Sequence, residues 1–367
     1  MALHGERRAR ENGMGRGFAS FLLAEAADRC TRLGRLTEAD ELTRRALDYG
    51  PAGISAGLAH GVRASVLMKL GRSEEARPHV LETKRLLGQA TSSMWIAPLY
   101  ARLAEQAERE GGIEQVRRST AEGRRLMEDG EEHAFYVREL YLTTLRAEAD
   151  AAQRARAAHD GGAEEAARRS GQELASSMRA AAAAAAGEGS APPQVVADLE
   201  VVAAEQSRLE GRTRPELWRA AAEANERIGN RLAAAYSYMR EAEAVVESGG
   251  APNEVAPCLR AAHEIARDCG AEPLLQACAA LARRARIDLA GEEARVTAGA
   301  DPFGLTPRER EVLVLVAAGR TNRQIGEGLF MSEKTASVHV SRILAKLEVS
   351  TRGEAGAVTH KLGLDGA

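Results

Sequence analysis

Apolar residues and alanines recur at every third or fourth position through most of residues 1–290, which is the spacing of one face of an α-helix. The segment LLAEAADRCTRLGRLTEADELTRRALDYG contains two such stretches on either side of a short Leu-Gly-Arg break. Thr37, followed by Glu38 and Asp40, is predicted to cap the second stretch and give it an acidic first turn. The pattern therefore predicts two amphipathic helices packed as a hairpin.

The same theme returns further along the chain. A strong copy, GVRASVLMKLGRSEEARPHVLETKRLL, has Gly71 where the first has Gly34, and weaker copies are LAEQAEREGGIEQVRRSTAEGRRLM, AAAEANERIGNRLAAAYSYMREAEAVV and AAHEIARDCGAEPLLQACAALARRARI. Gly34 and Gly71, like Gly229 and Gly270, lie roughly forty residues apart. A glycine at a helix end suits the left-handed conformation, which other residues adopt only at a cost. We therefore predict an array of hairpins that bury their apolar faces against one another.

These units resemble tetratricopeptide-type repeats, in which a glycine follows the first helix and small alanines allow close packing. The alanines that carry the resemblance are Ala39, Ala46, Ala76, Ala234 and Ala242. The units depart from the strict period of thirty-four residues, and the usual Trp is mostly missing. A plain irregular helical bundle is the alternative. In either case we expect residues 1–290 to form a regulatory or interaction region and residues 291–304 to form a linker.

The composition agrees with an almost entirely helical protein, because aromatic residues make up 4% of the chain and alanine is abundant. The net charge is −3, so any nucleic-acid site must be local. The four cysteines lack metal-ligand spacing and are predicted to be buried thiols in a reducing compartment: Cys30, Cys258, Cys269 and Cys278. The amino-terminal residues lack a signal-peptide core and no apolar run reaches the roughly 18 residues of a membrane span, so we expect a cytoplasmic protein.

Residues 305–367 follow a different pattern, in which four short helices each begin at a polar capping residue. Three starts are predicted capping boxes, where the side chains of two residues bond each other's backbone: Thr306 with Glu309, Thr321 with Gln324, and Thr351 with Glu354. Ser332 is the predicted cap of the third helix, residues 333–347. Pro307 suits the first turn of the first helix and Gly319 its end.

The third of these helices has two unlike faces. Its apolar residues have the spacing of a buried stripe: Ala336, Val340, Ile343, Leu344 and Leu347. The opposite side has short polar and basic residues, which can approach a DNA groove, bond phosphates or guanine, and pack Val338 on a thymine methyl. Between Arg320 and Arg352 there are six basic and three acidic residues. A solvated helical face is the alternative, but the order of four capped helices favours a helix-turn-helix with the third helix in the major groove.

The segment LTPREREVLVLVAAGRTNRQIGEGLFMSEKTASVHVSRILAKLEVSTRGEA resembles the LuxR-type DNA-binding domain, and the resemblance covers about sixty residues. It matches the family's Leu-Thr-x-Arg-Glu opening, its Gly-x-Ser/Thr-Asn-x-x-Ile segment and its Ile-Leu-x-Lys-Leu-x-Val-x-x-Arg ending. The recognition helix departs from the family, since Ala336 and Ser337 replace the usual Val and Lys. We therefore expect the groove contact to depend on Lys334, Val338 and Arg342.

The resemblance implies a set of DNA contacts and a pairing surface. The expected DNA-contacting residues are Arg320, Thr321, Asn322, Arg323, Ser332, Lys334, Thr335, Ser337, Val338, Ser341, Arg342 and Lys346. The family's fourth helix pairs two domains, which implies a homodimer through Ala355, Val358 and Leu362 on two half-sites about one helical turn apart. Gly326 replaces a usual small Ala and is expected to weaken the second helix by up to ~1 kcal/mol.

Taken together, these patterns predict an all-α transcriptional regulator rather than an enzyme. The combination resembles the C-terminal half of large ATP-binding regulators of the MalT type, but the chain has no G-x-x-x-x-G-K-[ST] motif, so we predict no ATPase and no cofactor. The expected partners are double-stranded DNA, a protein or small-molecule effector at the repeats, and RNA polymerase, in a nucleoid-associated protein. The alternatives are a protein-interaction scaffold whose last module serves in dimerisation, a sigma-factor region-four domain and a truncated form of a larger regulator.

Overall fold

The chain forms two separate compact units, Met1–Leu289 and Ala290–Ala367. The computed structural model describes residues 2–88, 92–110, 112–127, 133–186, 191–289, 307–329, 331–347, 349 and 351–361. All regular structure in these ranges is helical, which confirms the predicted all-α fold. The proposed linker, residues 291–304, lies outside the described residues.

The first unit consists of helices that follow one another with short connections. After a first helix, α1 (Ala2–Glu11), and a π-helical turn at Gly15–Ala19, the helices are α2 (Ser20–Arg32), α3 (Leu36–Asp48), α4 (Gly53–Lys69), α5 (Ser73–Leu87), α6 (Ser93–Arg109), α7 (Ile113–Met127), α8 (His133–Ala157), α9 (Gly161–Ala186), α10 (Pro193–Leu209), α11 (Pro215–Arg227), α12 (Arg231–Glu247), α13 (Pro252–Cys269) and α14 (Glu272–Ala285). Consecutive helices pack as antiparallel hairpins, beginning with α2 on α3 and α4 on α5.

Glycines in the left-handed conformation end several of these helices, as predicted. Gly34, Gly71, Gly229 and Gly270 have φ angles of 75°, 79°, 72° and 69°. After Gly34, the Arg35 N–H bonds the Cys30 carbonyl at 2.8 Å, closing the end of α2. The same closure follows the other three glycines, so the breaks in the hydrophobic pattern are true helix C-caps.

Helix α3 begins differently from the prediction. Its first residue is Leu36, its N-cap is Arg35, and no side chain bonds the free backbone at this end. Thr37 therefore lies inside the helix and does not cap it. Asp40, predicted as a first-turn acid, instead accepts a hydrogen bond at 2.9 Å from Arg63 on α4. A partner from the next hairpin thus decides the role of this carboxylate.

Small side chains allow the hairpins to approach closely. The five alanines that carry the repeat resemblance are all buried: Ala39, Ala46, Ala76, Ala234 and Ala242. Four of them, all but Ala234, belong to apolar clusters. Ala39 and Ala46, for example, lie in the cluster that joins Leu23 of α2 to Val62 of α4. The cores therefore lie between adjacent hairpins, as expected for stacked helical units.

The two ends of the array meet. Leu36 at the start of α3 belongs to one buried cluster with Ala266, Cys269 and Ala271 from the end of α13. The contact is so close that a Cβ added to Gly34 would lie 2.4 Å from the Cys269 sulfur. The first hairpin thus closes on the last two helices, and the hairpins surround an interior.

Helices α2, α4, α6, α8, α10 and α12 carry the charged side chains of that interior. Consecutive members of this set pack from α2 to α10. Helix α12 joins them through Tyr236, whose hydroxyl donates to Glu205 of α10 at 2.7 Å, and through Arg240, which pairs with Asp150 of α8 at 3.0 Å. Ion pairs thus link helices that are distant in sequence.

Other sequence-based expectations concern the cysteines, membrane segments and metals. Cys30, Cys258, Cys269 and Cys278 are buried and free, as predicted. No helix within the described ranges has both the length and the apolar character needed to cross a membrane. The same ranges contain no group of three or more His, Cys, Asp or Glu residues arranged to hold a metal ion.

A histidine pair joins the second hairpin. The Nδ1 atoms of His60 on α4 and His79 on α5 lie 2.7 Å apart, so one ring must donate while the other accepts. Burial lowers the pKa of both rings, and the proximity of His60 helps to bring that of His79 to about 4. The surrounding charges are mixed, since Glu82 opposes the shift at His60 and Arg63 adds to it at both rings.

We predict that Gly34→Ala destabilises the first unit more than Gly249→Ala does. Both glycines have φ near 75°, so both substitutions carry the same backbone cost of about 1–2 kcal/mol. An added Cβ meets nothing within 4 Å at Gly249, whereas at Gly34 it collides with Cys269. In urea unfolding, Gly34→Ala should lose about 1–3 kcal/mol more free energy of unfolding than Gly249→Ala does. Equal losses would show that the ends of the array do not pack as described.

We also predict that acid weakens the second hairpin. The unfolded chain binds protons at these histidines below about pH 6.5, whereas His79 in the folded state binds its proton only near pH 4. Stability should therefore fall as the pH decreases from about 6.5 to about 4. Unfolding curves of the native protein and of His79→Gln across this range measure the effect. The variant should show a shallower decrease, and parallel curves would contradict the prediction.

Candidate DNA interface

Four helices form the described part of the second unit: α15 (Pro307–Ala317), α16 (Asn322–Gly328), α17 (Glu333–Lys346) and α18 (Arg352–Lys361). Helix α15 packs on α17 and α18, and α16 packs on α17. The buried side chains of their shared core are Val312, Leu313, Val316, Ile325, Ala336, Val340, Ile343, Leu347 and Ala355. This core fixes which side of α17 faces outward.

Local signals set the ends of these helices. Thr321 and Gln324 form the predicted capping box, with bonds of 2.9 and 3.3 Å, and Thr351 and Glu354 form another, with bonds of 3.0 and 3.3 Å. The hydroxyl of Ser332 accepts the Thr335 N–H at 3.1 Å, which confirms the predicted cap of α17. Thr306, proposed as the cap of α15, lies outside the described residues.

The outer face of α17 is polar apart from one valine. Thr335, Ser337, Ser341 and Arg342 are exposed, and Val338 among them retains 46% of its surface. The Ser341 hydroxyl donates to the Ser337 carbonyl at 3.0 Å, so it lies close to its own helix. Arg342 is the largest of the exposed side chains described on this face.

The segment before α16 is fixed from the far end of the unit. Arg352 donates to the Asn322 side-chain oxygen at 2.7 Å and to the Arg320 carbonyl at 2.6 Å. Asn322, predicted as a DNA contact, therefore also holds the turn between α15 and α16. The side chains of Arg320 and Arg323 are exposed beside it. Sequence reasoning placed Arg352 in the family motif but missed this bridging role.

Lys346, predicted as a DNA contact, also pairs with a residue of the core. Its ammonium lies 2.6 Å from a carboxylate oxygen of Glu309 on α15, and Glu309 is only 4% exposed. The pair joins two helices, so Lys346 acts as an anchor of α17, and its DNA contact stays a prediction. The two residues are far apart in sequence, and no local signal indicates their contact.

The predicted pairing surface is corrected in part. Ala355 is fully buried against the core of the unit, so it does not lie on an exposed side of α18. The side chains of Val358 and Leu362 lie outside the described residues, as does that of Lys334 on α17.

Two further residues lie close to the interface. His339 has a buried Nδ1 atom without a hydrogen-bond partner among the described residues. Gly326 of α16 approaches the next turn so closely that an added Cβ would lie 2.7 Å from the Met331 carbonyl oxygen. Met331 in turn donates its N–H to the Gly326 carbonyl at 2.9 Å. The glycine, expected only to weaken α16, thus also gives room to the turn that leads into α17.

Residues 304–358 match the family described as bacterial regulatory proteins of the luxR family. The second unit therefore contains a LuxR-type helix-turn-helix domain. The predicted recognition helix, residues 333–347, corresponds to α17.

Curated relatives share this part of the chain. The transcriptional regulatory protein LiaR of Bacillus subtilis is 38% identical over 108 residues, which are 29% of this chain and 46% of LiaR. The DNA-binding transcriptional activator DevR/DosR of Mycobacterium tuberculosis is 40% identical over 98 residues, which are 26% of this chain and 42% of that protein. The nitrate/nitrite response regulator NarL of Escherichia coli is 40% identical over 67 residues, or 18% of this chain and 31% of NarL. The chain thus spans less than half the length of each.

We predict that Lys346 and Glu309 are energetically coupled. The Glu309 carboxylate is buried and the Lys346 side chain keeps 36% of its surface, so the pair lies in a partly desolvated position, and each single alanine variant should destabilise the LuxR-type domain. The double variant should lose less free energy of unfolding than the two single variants lose together. The difference, measured by chemical unfolding, is the coupling energy, which should be about 1–3 kcal/mol. A matched pair for comparison is Arg35 and Glu38, whose side chains are exposed and 3.7 Å apart. Coupling no larger than in that pair would contradict the anchoring role of Lys346.

Proposed function

We propose that the protein is a transcriptional regulator that binds duplex DNA with α17 in the major groove. The observation that supports this most directly is the two-sided character of α17. One side is fixed in the core through Ala336, Val340 and Ile343, and the other presents short polar side chains with Val338 and Arg342. A helix that reads base edges needs short side chains on its outer face and core contacts that fix its orientation.

The positions around α17 suit contacts with the DNA backbone. Arg320 and Arg323 are exposed at the start of α16, and the N-terminus of α17 is capped by Ser332. Helix N-termini and arginines are common phosphate ligands, and such contacts set the register of a protein on the duplex. We therefore assign Arg320, Thr321 and Arg323 to phosphate contacts and Thr335, Ser337, Val338, Ser341 and Arg342 to the groove, with Lys334 beside them.

The named relatives support the regulatory role. LiaR is described as a transcriptional regulatory protein and DevR/DosR as a DNA-binding transcriptional activator, and both are similar to part of this chain. We extend DNA binding to this chain on that basis, together with the geometry of α17. Binding rather than catalysis is the activity we propose.

The first unit has the role of a regulatory or interaction region in this proposal. Its stacked hairpins are tetratricopeptide-like in their glycine breaks and buried alanines, and such arrays bind partners on their surfaces. We propose that the protein binds DNA as a homodimer. In a two-fold symmetric dimer each protomer places its recognition helix in one of two half-sites about one helical turn apart. Since Ala355 is buried, the pairing surface must use other residues.

We predict that the full-length protein binds a duplex from the region upstream of its own gene and that Arg342→Ala weakens this binding. Loss of an arginine that contacts a base edge costs about 1–3 kcal/mol of binding free energy. Loss of a phosphate contact reduces the salt slope, which is the slope of the logarithm of the binding constant against the logarithm of the salt concentration, by about one. Fluorescence anisotropy at several salt concentrations measures both quantities. The helical content of the variant, checked by circular dichroism, should remain unchanged.

The matched control is Arg212→Ala, which removes one exposed arginine from the first unit. It changes the net charge equally but leaves α17 intact, so its affinity and salt slope should equal those of the native protein. A second variant, Val338→Asp, places a negative charge on the exposed face of α17 and should abolish binding. Native affinity in both Arg342→Ala and Val338→Asp would refute the proposed face. Absence of any salt-dependent DNA binding would favour the scaffold alternative.

A further inference from the structure

The interior of the first unit contains charges from helices that are distant in sequence. Arg32 on α2 lies within electrostatic reach of Glu139 on α8 and Asp198 on α10. Arg32 nevertheless keeps 45% of its side-chain surface and Lys69 on α4 keeps 28%. Side chains that point inward and remain accessible require space for solvent between the helices.

Most cations of this interior have a carboxylate partner. Arg32 pairs with Asp28 at 3.0 Å, and Arg138 pairs with Asp198 at 3.1 Å. Lys69 lies 3.8 Å from Glu105. Each of these positive charges is therefore balanced locally, as expected for charges removed from bulk water.

Arg102 on α6 differs from these cations. It is only 5% exposed, and among the described residues its Nε atom is buried without a hydrogen-bond partner. The Nε atom of Arg146 is buried in the same way, but that arginine lies 3.8 Å from the Glu205 carboxylate. No ion pair within 4 Å joins it to a carboxylate among the described residues. Its guanidinium lies beside α4, where a Cβ added to Gly61 would be 3.7 Å from the central carbon of the group. A buried guanidinium with an unused donor is costly, and native proteins rarely retain one without a partner.

A second buried arginine of the first unit, Arg63, has the partners that a buried guanidinium usually has. Arg63 on α4 is 8% exposed, close to the value for Arg102. It donates to the Asp40 carboxylate at 2.9 Å, to the Asp40 carbonyl at 3.3 Å and to the Thr43 hydroxyl at 3.0 Å. Arg63 and Arg102 are therefore buried to a similar extent, but only Arg63 has hydrogen-bond and ion-pair partners among the described residues.

We propose that the interior of the first unit binds a small anion, bearing a carboxylate or phosphate group, through the guanidinium of Arg102. Arginine is suited to such groups because its fork of N–H donors matches two oxygens at once. Arg32, Lys69 and Arg138, each paired with its own carboxylate, lie on three further helices and act on the same Glu139 as Arg102 does. This assignment concerns the first unit alone and does not rest on the proposed binding of DNA.

Glu139 on α8 is the carboxylate on which Arg102 acts. Burial opposes ionisation of its carboxyl, but Arg102, followed by Lys69 and Arg32, outweighs that effect and holds the pKa of Glu139 below its usual value. Among the described residues no ion pair within 4 Å joins Arg102 to Glu139, so the donors of the guanidinium are not used by this carboxylate. The negative charge of Glu139 still competes with the ligand, and its removal should strengthen binding.

The experiment uses the full-length protein with inorganic phosphate and succinate as separate probes and sodium chloride at matched ionic strength as the reference. We expect a saturable calorimetric signal with one site per chain, and a rise in the Tm of the first unit of about 2–5 °C above the reference near saturation. A response to one probe only identifies the preferred group as phosphate or carboxylate. A response no greater than that to chloride overturns the proposal.

The variants are Arg102→Met, Arg63→Met and Glu139→Gln. Arg102→Met should lose the response to the anion. It should lower the Tm without ligand less than Arg63→Met does, because Arg102 forms no ion pair within 4 Å among the described residues. Arg63→Met should lower the Tm but keep that response. Glu139→Gln should bind the anion several-fold more tightly. If Arg102→Met destabilises the ligand-free protein as much as Arg63→Met, or if Glu139→Gln leaves the affinity unchanged, the anion site is not at Arg102.

Discussion

A glycine in the left-handed conformation ends the helix at the break of each strong hairpin, and both units depend on this turn. Gly34, Gly71, Gly270 and Gly319 have φ angles between 69° and 79°. In each case the next residue donates its N–H to a carbonyl five positions back, which satisfies a helix end that would otherwise lose hydrogen bonds. Because this turn is tight, the following helix must fold back on the one before it. In the first unit the result is a hairpin stack, and in the LuxR-type domain the turn leads directly into α16.

Features that depend on neighbours in sequence could be predicted, and features that depend on distant residues could not. The capping boxes at Thr321 and Thr351 and the Ser332 cap are local, so the sequence pattern alone predicted them correctly. Thr37 was predicted wrongly as a cap, although its pattern is similar: α3 begins at Leu36, which is buried against the far end of the array. The contact of Lys346 with Glu309 was not predicted, because the partner lies on another helix. Charge and periodicity show which residues are polar, but not which carboxylate each cation will meet.

The closure of the array explains why its charges are concentrated inside. When the ends of a hairpin stack meet, the first helix of each hairpin turns inward, and its polar residues share a confined space with those of the others. Arg208, for example, lies between Glu205 and Asp150, and the Tyr236 hydroxyl donates to Glu205. Such pairs are roughly neutral for stability when complete, since attraction offsets the loss of hydration. They restrict the array to one register, because a shift of one hairpin would leave several charges without partners.

The contacts at the two ends of α17 are relevant to the proposed mode of DNA binding. Ser332 fixes its N-terminal end and the Lys346–Glu309 pair fixes its C-terminal end, so the exposed residues between them are held in position from both sides. At the position where the LuxR-type pattern usually has a lysine, this chain has Ser337, whose side chain is short and carries no charge. In the proposed binding mode, discrimination among bases depends on fit, through Val338 against a thymine methyl and Arg342 against a guanine or phosphate. Fit of this kind requires a rigid helix, and the two anchors provide that rigidity.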